Sequence, residues 1–117
     1  MFERFTDQAR KVIVLAQENS RREGHLSIDV GHIGLAALTA GEGAGLDDDL
    51  VQRLQQALRS TLADQVIDHK HTGHIPFTTA TKTTFERSLH RSLQDRRNYI
   101  DSRDLLLVVC LPNSEWL

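Results

Sequence analysis

Only two prolines, Pro76 and Pro112, occur in 117 residues, so long stretches of the chain are free to be helical. Aromatic residues are equally scarce at 5% of the sequence. A core built from this chain must therefore rest on Leu, Val, Ile and Ala. There is one cysteine, Cys110, which excludes an internal disulfide and suits a reducing compartment. It lies in the apolar run Leu105–Leu111, and a buried, inert thiol is the expectation. That run is also the longest apolar stretch, far short of a membrane span. No apolar stretch follows Met1-Phe2-Glu3-Arg4, so the chain reads as lacking a signal peptide, and a cytoplasmic location follows as the expectation. Fourteen basic and sixteen acidic side chains leave a formal charge of −2. No clustered basic surface is present, so nucleic acid is not an expected partner.

What is present is helical periodicity. Thr6 and Asp7 open a first helix in which Ala9, Val12, Ile13, Ala16 and Ser20 recur at helical spacing, and Gly24 ends it. Asp29 caps a second segment, to about Ala40, that is closed by the breaker Gly41-Glu42-Gly43-Ala44-Gly45. Asp47, Asp48 and Asp49 suit the start of a helix and lack the spacing of a calcium loop. Leu50, Leu54, Leu58 and Leu62 then form the stripe of a long helix, about Asp48 to Val66. After a linker with Gly73 and Pro76, another helix is expected from about Ala80 to Arg96 on a stripe of Phe85, Leu89 and Leu93. A last helix, capped by Asp101 or Ser102, ends before Pro112. No segment alternates at period two for long enough to make a strand. The expected class is all-α.

The chain also repeats itself. A shift of 72 residues puts Phe5-Thr6 on Phe77-Thr78, Ser20 on Ser92, Ile28-Asp29 on Ile100-Asp101 and Leu35 on Leu107. Arg10 falls on Lys82 and Ile13 on Phe85. Two stacked helical units sharing one core are implied. We divide the single domain, 1–117, into a first repeat at about 1–67, a linker at about 68–76 and a shortened second repeat at about 77–117, some six helices in all. The shortened second repeat has no counterpart of the long helix, so its stripe, Leu50, Leu54, Leu58 and Leu62, is expected to be left open and to favour a homodimer.

Met1-Phe2-Glu3-Arg4-Phe5-Thr6-Asp7, Ala9-Arg10-Lys11-Val12, Val14-Leu15-Ala16-Gln17-Glu18, Gly73-His74-Ile75-Pro76-Phe77-Thr78 and Asn98-Tyr99-Ile100 together resemble the N-terminal repeat domain of the ClpC-type Clp unfoldases. The resemblance extends to about Leu111. It implies a pseudo-twofold helical bundle that recruits adaptors and substrates ahead of an ATPase engine. No Gly-x-x-x-x-Gly-Lys-Ser/Thr phosphate cradle occurs in the chain, so neither a nucleotide cofactor nor enzymatic activity is expected. The ending Asn113-Ser114-Glu115-Trp116-Leu117 departs from the family pattern and reads as a natural end.

The resemblance implies two surfaces. One receives cyclic-peptide antibiotics of the cyclomarin type in actinobacterial relatives. The matching positions are Phe2, Arg10, Val14, Gln17, Phe77, Lys82 and Glu86. Arg10, Val14 and Gln17 independently form one stripe of one helix, with Ile13 and Ala16 turned to the core. Phe2 and Phe77 suit either peptide anchors or plugs of the repeat junction, and Lys82 with Glu86 also suits an ordinary solvated pair. The other surface binds phosphoarginine in some members through a Glu at the start of the second helix of each repeat. Gly31 and Arg103 stand at those positions here, which puts that activity in doubt. His69, His71 and His74 lie together in the linker without the scaffold a metal site needs, and His32 reads as a core or rim histidine. The function expected is a non-enzymatic domain that mimics the ClpC N-terminal domain and competes for its ligands, cyclic peptides or adaptors. The alternative is an accessory protein that docks on Clp subunits to modulate proteolysis.

Overall fold

The described residues form five α-helices, where about six were expected for the whole chain: α1 Asp7–Arg22, α2 Val30–Ala37, α3 Asp48–Ser60, α4 Thr79–Gln94 and α5 Ser102–Cys110. A 3-10 turn at Phe2–Arg4 precedes α1, and a π-type segment, Leu38–Glu42, extends α2. The computed structural model describes residues 2–42 and 45–110, with only the backbone at Phe2 and Glu42. Among them there is no strand, only three isolated bridges.

The 72-residue offset governs the packing. Thr6 and Thr78 both cap their helices, accepting from the Ala9 amide at 3.2 Å and the Thr81 amide at 3.1 Å. The buried positions of α1 are Ala9, Val12, Ile13, Ala16 and Ser20, and those of α4 are Thr81, Thr84, Phe85, Ser88 and Ser92, each 72 residues on. The second set corrects the expected stripe. Phe85 is buried, but Leu89 is half-buried and Leu93 lies half exposed, at 50%. Hydroxyl residues fill α4's inner face because each finds a carbonyl. Thr81 donates to Ile28 O at 2.9 Å, Thr84 to Ala80 O at 3.0 Å and Ser88 to Thr84 O at 2.8 Å.

Both repeats leave their first helix through the same C-terminal turn. His25 and Arg97 amides reach back to the carbonyls of Ser20 and Ser92, at 2.9 and 2.8 Å. The residue before each is left-handed, Gly24 at φ 75° and Arg96 at φ 62°. The repeats then bridge one another crosswise, Phe5 beside Ile100 and Ile28 beside Phe77, both in parallel. Phe85 sits at the centre with Phe5 and Phe77 edge-on, centroids 5.5 and 5.3 Å away.

Three expectations fail locally. The helix over Asp48–Val66 stops at Ser60, because the chain tightens into i→i+3 bonds from Leu62 to Arg59 and from Ala63 to Ser60. Its leucine stripe is not open throughout: Leu58 and Leu62 are buried at 8% and 5% exposure, and Leu54 is half-buried. They pack on α2 where it has glycines. A Cβ on Gly31 would lie 2.5 Å from Thr61 Oγ1 and 3.0 Å from Leu58 O, and one on Gly34 would meet Leu58. Only the N-terminal half of the stripe, with Leu46 and Leu50, faces outward, along a groove shared with Leu106, Leu107 and Cys110 of α5. A dimer built on all four leucines is thus not supported, since half the stripe is already used within the domain. Cys110, finally, is exposed, not buried. It ends α5 and faces that groove, whose apolar walls push its thiol pKa up.

Candidate ligand-binding face

Successive turns of α1 place Arg10, Val14 and Gln17 on one exposed stripe beside the buried Ile13. The segment before α4 runs alongside, held by Ile28, whose amide donates to Pro76 O at 2.8 Å and whose carbonyl accepts from the Thr78 amide at 3.1 Å. This pairing lays Phe77 against α1 and closes a cleft of about 380 Å³ lined by Arg10, Ile13, Val14, Gln17, Ile28, His74, Ile75 and Phe77. Val14 is 52% exposed on its rim. Apolar walls with a few polar groups at the edge are what a peptide side chain and its flanking amides need.

Four of the seven residues singled out from the sequence, Arg10, Val14, Gln17 and Phe77, come together here. Lys82 and Glu86 do not line the cleft and stand exposed on α4. The Phe2 side chain lies outside the described residues. Ile28, His74 and Ile75 were missed, although Gly73-His74-Ile75-Pro76-Phe77-Thr78 is a signature string and Ile28 is the register partner of Phe77 in the repeat. Phe77 walls the cleft and also makes a T-shaped contact with Phe85, so its position is compatible with either role.

Gly31 is buried under α3, where the α2–α3 contact leaves no room for a larger side chain. Arg103 stands exposed on α5 at the edge of the groove.

His69, His71 and His74 are all exposed. Among the described residues, the trio that brings metal-ligating atoms within 4.8 Å of one another is not theirs but Glu23, His25 and His32. The hydrogen-bond pattern does not suit a metal. Ligation through His32 Nε2 requires the proton on Nδ1, yet the Asp29 amide already donates to that nitrogen at 2.9 Å.

Residues 4–110 match the Clp repeat (R) N-terminal domain family. Chaperone protein ClpC1, chloroplastic, from Oryza sativa subsp. japonica is 38% identical over 112 residues, covering 92% of this chain and 12% of that protein. The ClpA homologue of Guillardia theta is likewise 38% identical over 112 residues, covering 92% of this chain and 13% of the relative. The chain thus spans about an eighth of the length of such relatives. Among solved structures, the N-terminal domain of ClpD from Arabidopsis thaliana superposes with a TM-score of 0.69 at 20% identity, over 98% of this chain and 81% of that one. The Hsp104 N-terminal domain from Candida albicans gives 0.72 at 17% identity, over 90% and 72%. Family, repeat and fold agree: this chain belongs to the Clp N-terminal repeat domain family.

Proposed function

We propose that the chain is a non-enzymatic binding module that presents a ClpC-like ligand face and competes for its ligands, cyclic peptides of the cyclomarin type or adaptors. The observation that supports this most is the cleft between α1 and the start of the second repeat. Arg10, Val14, Gln17 and Phe77 converge there around an apolar floor. A constrained cyclic peptide loses little entropy on binding, so a shallow apolar cleft with polar edges is enough to hold one. The 117 residues contain no phosphate-binding loop, and no nucleotide chemistry is proposed for them. Gly31 and Arg103 in place of acids speak against reading phosphoarginine. Lys82 and Glu86 would then act at the edge of a large ligand, not in the cleft. We place the module in the cytoplasm on its single thiol, noting that ClpC1 from rice is a chloroplast protein by name.

Calorimetric titration with cyclomarin A tests the reading. Competition is supported by affinity comparable to that of a full-length ClpC N-terminal domain. Absence of binding at tens of micromolar ligand would refute it, and co-purification with Clp subunits would then favour the accessory role.

A further inference from the structure

The first repeat holds two histidines where the second holds an ion pair. His25 and His32 are buried, at 6% and 2% exposure, with His25 Nδ1 2.7 Å from His32 Nε2 and ring centroids 4.9 Å apart. Seventy-two residues on, Arg97 donates to Asp104 at 2.8 and 2.9 Å. The two pairs do the same structural work. Each joins the turn after one helix to the N-terminus of the next, and each has its second residue accept the N-cap amide, Asp29 to His32 Nδ1 at 2.9 Å and Asp101 to Asp104 Oδ2 at 3.0 Å. They differ in what a proton does to them.

The hydrogen bonds assign the tautomers. Because the Asp29 amide donates to His32 Nδ1, the neutral His32 carries its proton on Nε2 and donates it to His25 Nδ1. Both facing nitrogens and the capping nitrogen are therefore in use. A further proton must oppose either the Asp29 N–H at His32 Nδ1 or the His32 N–H at His25 Nδ1. In either case a buried hydrogen bond is replaced by two donors facing each other. One alternative partner is within reach: Glu23 Oε2 lies 3.6 Å from His25 Nδ1 and is about half exposed.

Other charges face the pair. Asp29 at the N-cap of α2 favours a proton on His32. Arg59, a cation at the end of α3, lines the same cavity as Glu23 and His25. From the linker, the His69 ring lies where it would touch a Cβ on Gly24, and the Asp68 amide donates to the Gly24 carbonyl at 2.7 Å. The neighbourhood is thus mixed in sign, and the bonding pattern decides.

The pair is also wired to the cleft. The Asp29 carboxylate accepts from Thr78 Oγ1 at 3.0 Å and from Gln65 Nε2 at 3.2 Å. Thr78 caps α4, adjoins Phe77 and pairs through its amide with Ile28. Ile28 and Phe77 are both walls of the cleft.

We propose that His25 and His32 form a pH-sensitive latch. Neutral, the pair locks the start of α2 and, through Asp29 and Thr78, the far wall of the cleft. Protonation breaks the bond between the two rings, the Asp29 cap slackens and the cleft wall loosens. The effect on ligand binding rests on the function proposed above, whereas the latch does not.

Burial first, and then the neighbouring His25, push His32 down to about 4 from an ordinary 6.5, against the opposing pull of Asp29. Between those values the unfolded chain takes up more protons than the folded one. Stability therefore falls as pH drops from about 6.5 towards 4. The Arg97–Asp104 pair keeps its charges throughout that window, because Asp104 is held below the ordinary carboxylate range.

The experiment compares wild type with His25→Arg/His32→Asp, which copies the second repeat's ion pair into the first. Without ligand, wild-type Tm is expected to fall between pH 7.5 and 5 by about 5 °C more than that of the variant. The Asp29 and Thr78 amide resonances should shift with the same midpoint as the His32 ring, which titrates well below the ordinary 6.5. Should the double variant fail to fold, His25→Gln serves in its place and should show the smaller fall. An equal Tm fall in wild type and variant overturns the latch, as does a His32 ring that titrates at the ordinary 6.5. Asp29 and Thr78 amides that stay still while His32 titrates overturn the coupling to the cleft. Cyclomarin A affinity should weaken several-fold from pH 7.5 to 3.5 in wild type only, because the folded His32 takes up its proton near 4. If cyclomarin A fails to bind at either pH, the functional reading falls and the amide shifts decide the latch alone.

Discussion

Arg97 grips Asp104 with both terminal nitrogens, at 2.9 and 2.8 Å, and so ties the turn after α4 to the first turn of α5. Asp104 is buried, with 3% of its side chain exposed, while Arg97 keeps 21%. Burial alone would raise the Asp104 pKa. The Arg97 hydrogen bonds and those from Asp101 overcome it and hold the carboxyl below its ordinary range.

Removing the charge leaves Arg97 short of its main partner and disturbs the cap on the Asp101 amide. Asp104→Asn is expected to lower unfolding free energy by about 3 kcal/mol, as for a buried pair broken on one side. Urea denaturation at pH 7 measures it. The folded pKa is depressed, so this contribution is complete above an ordinary pKa of 3.8 and is lost as pH falls through the lower folded value. Wild type and Asp104→Asn should therefore converge only in strong acid. A difference already gone at pH 5 would contradict the assignment.

Arg96 occupies the left-handed turn that Gly24 occupies in the first repeat, at φ 62° against 75°. A side chain there costs about 1 kcal/mol relative to glycine. Arg96→Gly should accordingly raise stability by about 0.5–1 kcal/mol, seen as a higher urea midpoint with an unchanged slope. A loss of stability would mean that the Arg96 side chain contributes more than its backbone strain.

The acid that phosphoarginine recognition calls for does not fit at position 31. The ideal Cβ there meets Thr61 Oγ1 at 2.5 Å and the Leu58 backbone oxygen at 3.0 Å, and backbone does not step aside cheaply. Gly31→Glu is expected to cost at least about 2 kcal/mol by forcing α3 away from α2. No phosphoarginine binding should be gained by calorimetry. A stable variant that binds it would show that α3 repacks freely.

The helical class, the repeat and the caps at Thr6 and Asp29 were legible because each depends on local chemistry or on self-similarity at a fixed offset. What was not legible depends on contacts between distant elements. Gly31 and Gly34 look like ordinary small residues until α3 is laid on them, and only then does the burial of Leu58 and Leu62 follow. The hydroxyl face of α4 was hidden because Thr and Ser read as solvent-facing unless their carbonyl partners are known. Half the cleft was legible as a stripe on α1. The other half, Ile28, His74 and Ile75, required the crosswise bridge between repeats. The histidine pair escaped notice for the same reason. His25 and His32 are seven residues apart on different elements, and only the turn at Gly24 brings them together.

The ligand face is best tested at Val14. Phe77 is the obvious anchor, but it also packs on Phe85, so Phe77→Ala mixes lost binding with a cavity at the repeat junction. Val14 is 52% exposed at the cleft rim and contributes little to the core. Val14→Arg should therefore alter stability by no more than about 0.5 kcal/mol. The same substitution places a long cation over the apolar floor formed by Ile13, Ile28 and Phe77. A ligand must then displace it or leave it unpaired, which is expected to weaken cyclomarin A binding by about 2 kcal/mol, some thirtyfold. Glu86→Gln, outside the cleft, should change affinity by less than about threefold. Calorimetry on the two variants, with Tm as the control for folding, separates the cleft from the rest of the surface. Equal effects at Val14 and Glu86 would place the binding face elsewhere on the domain.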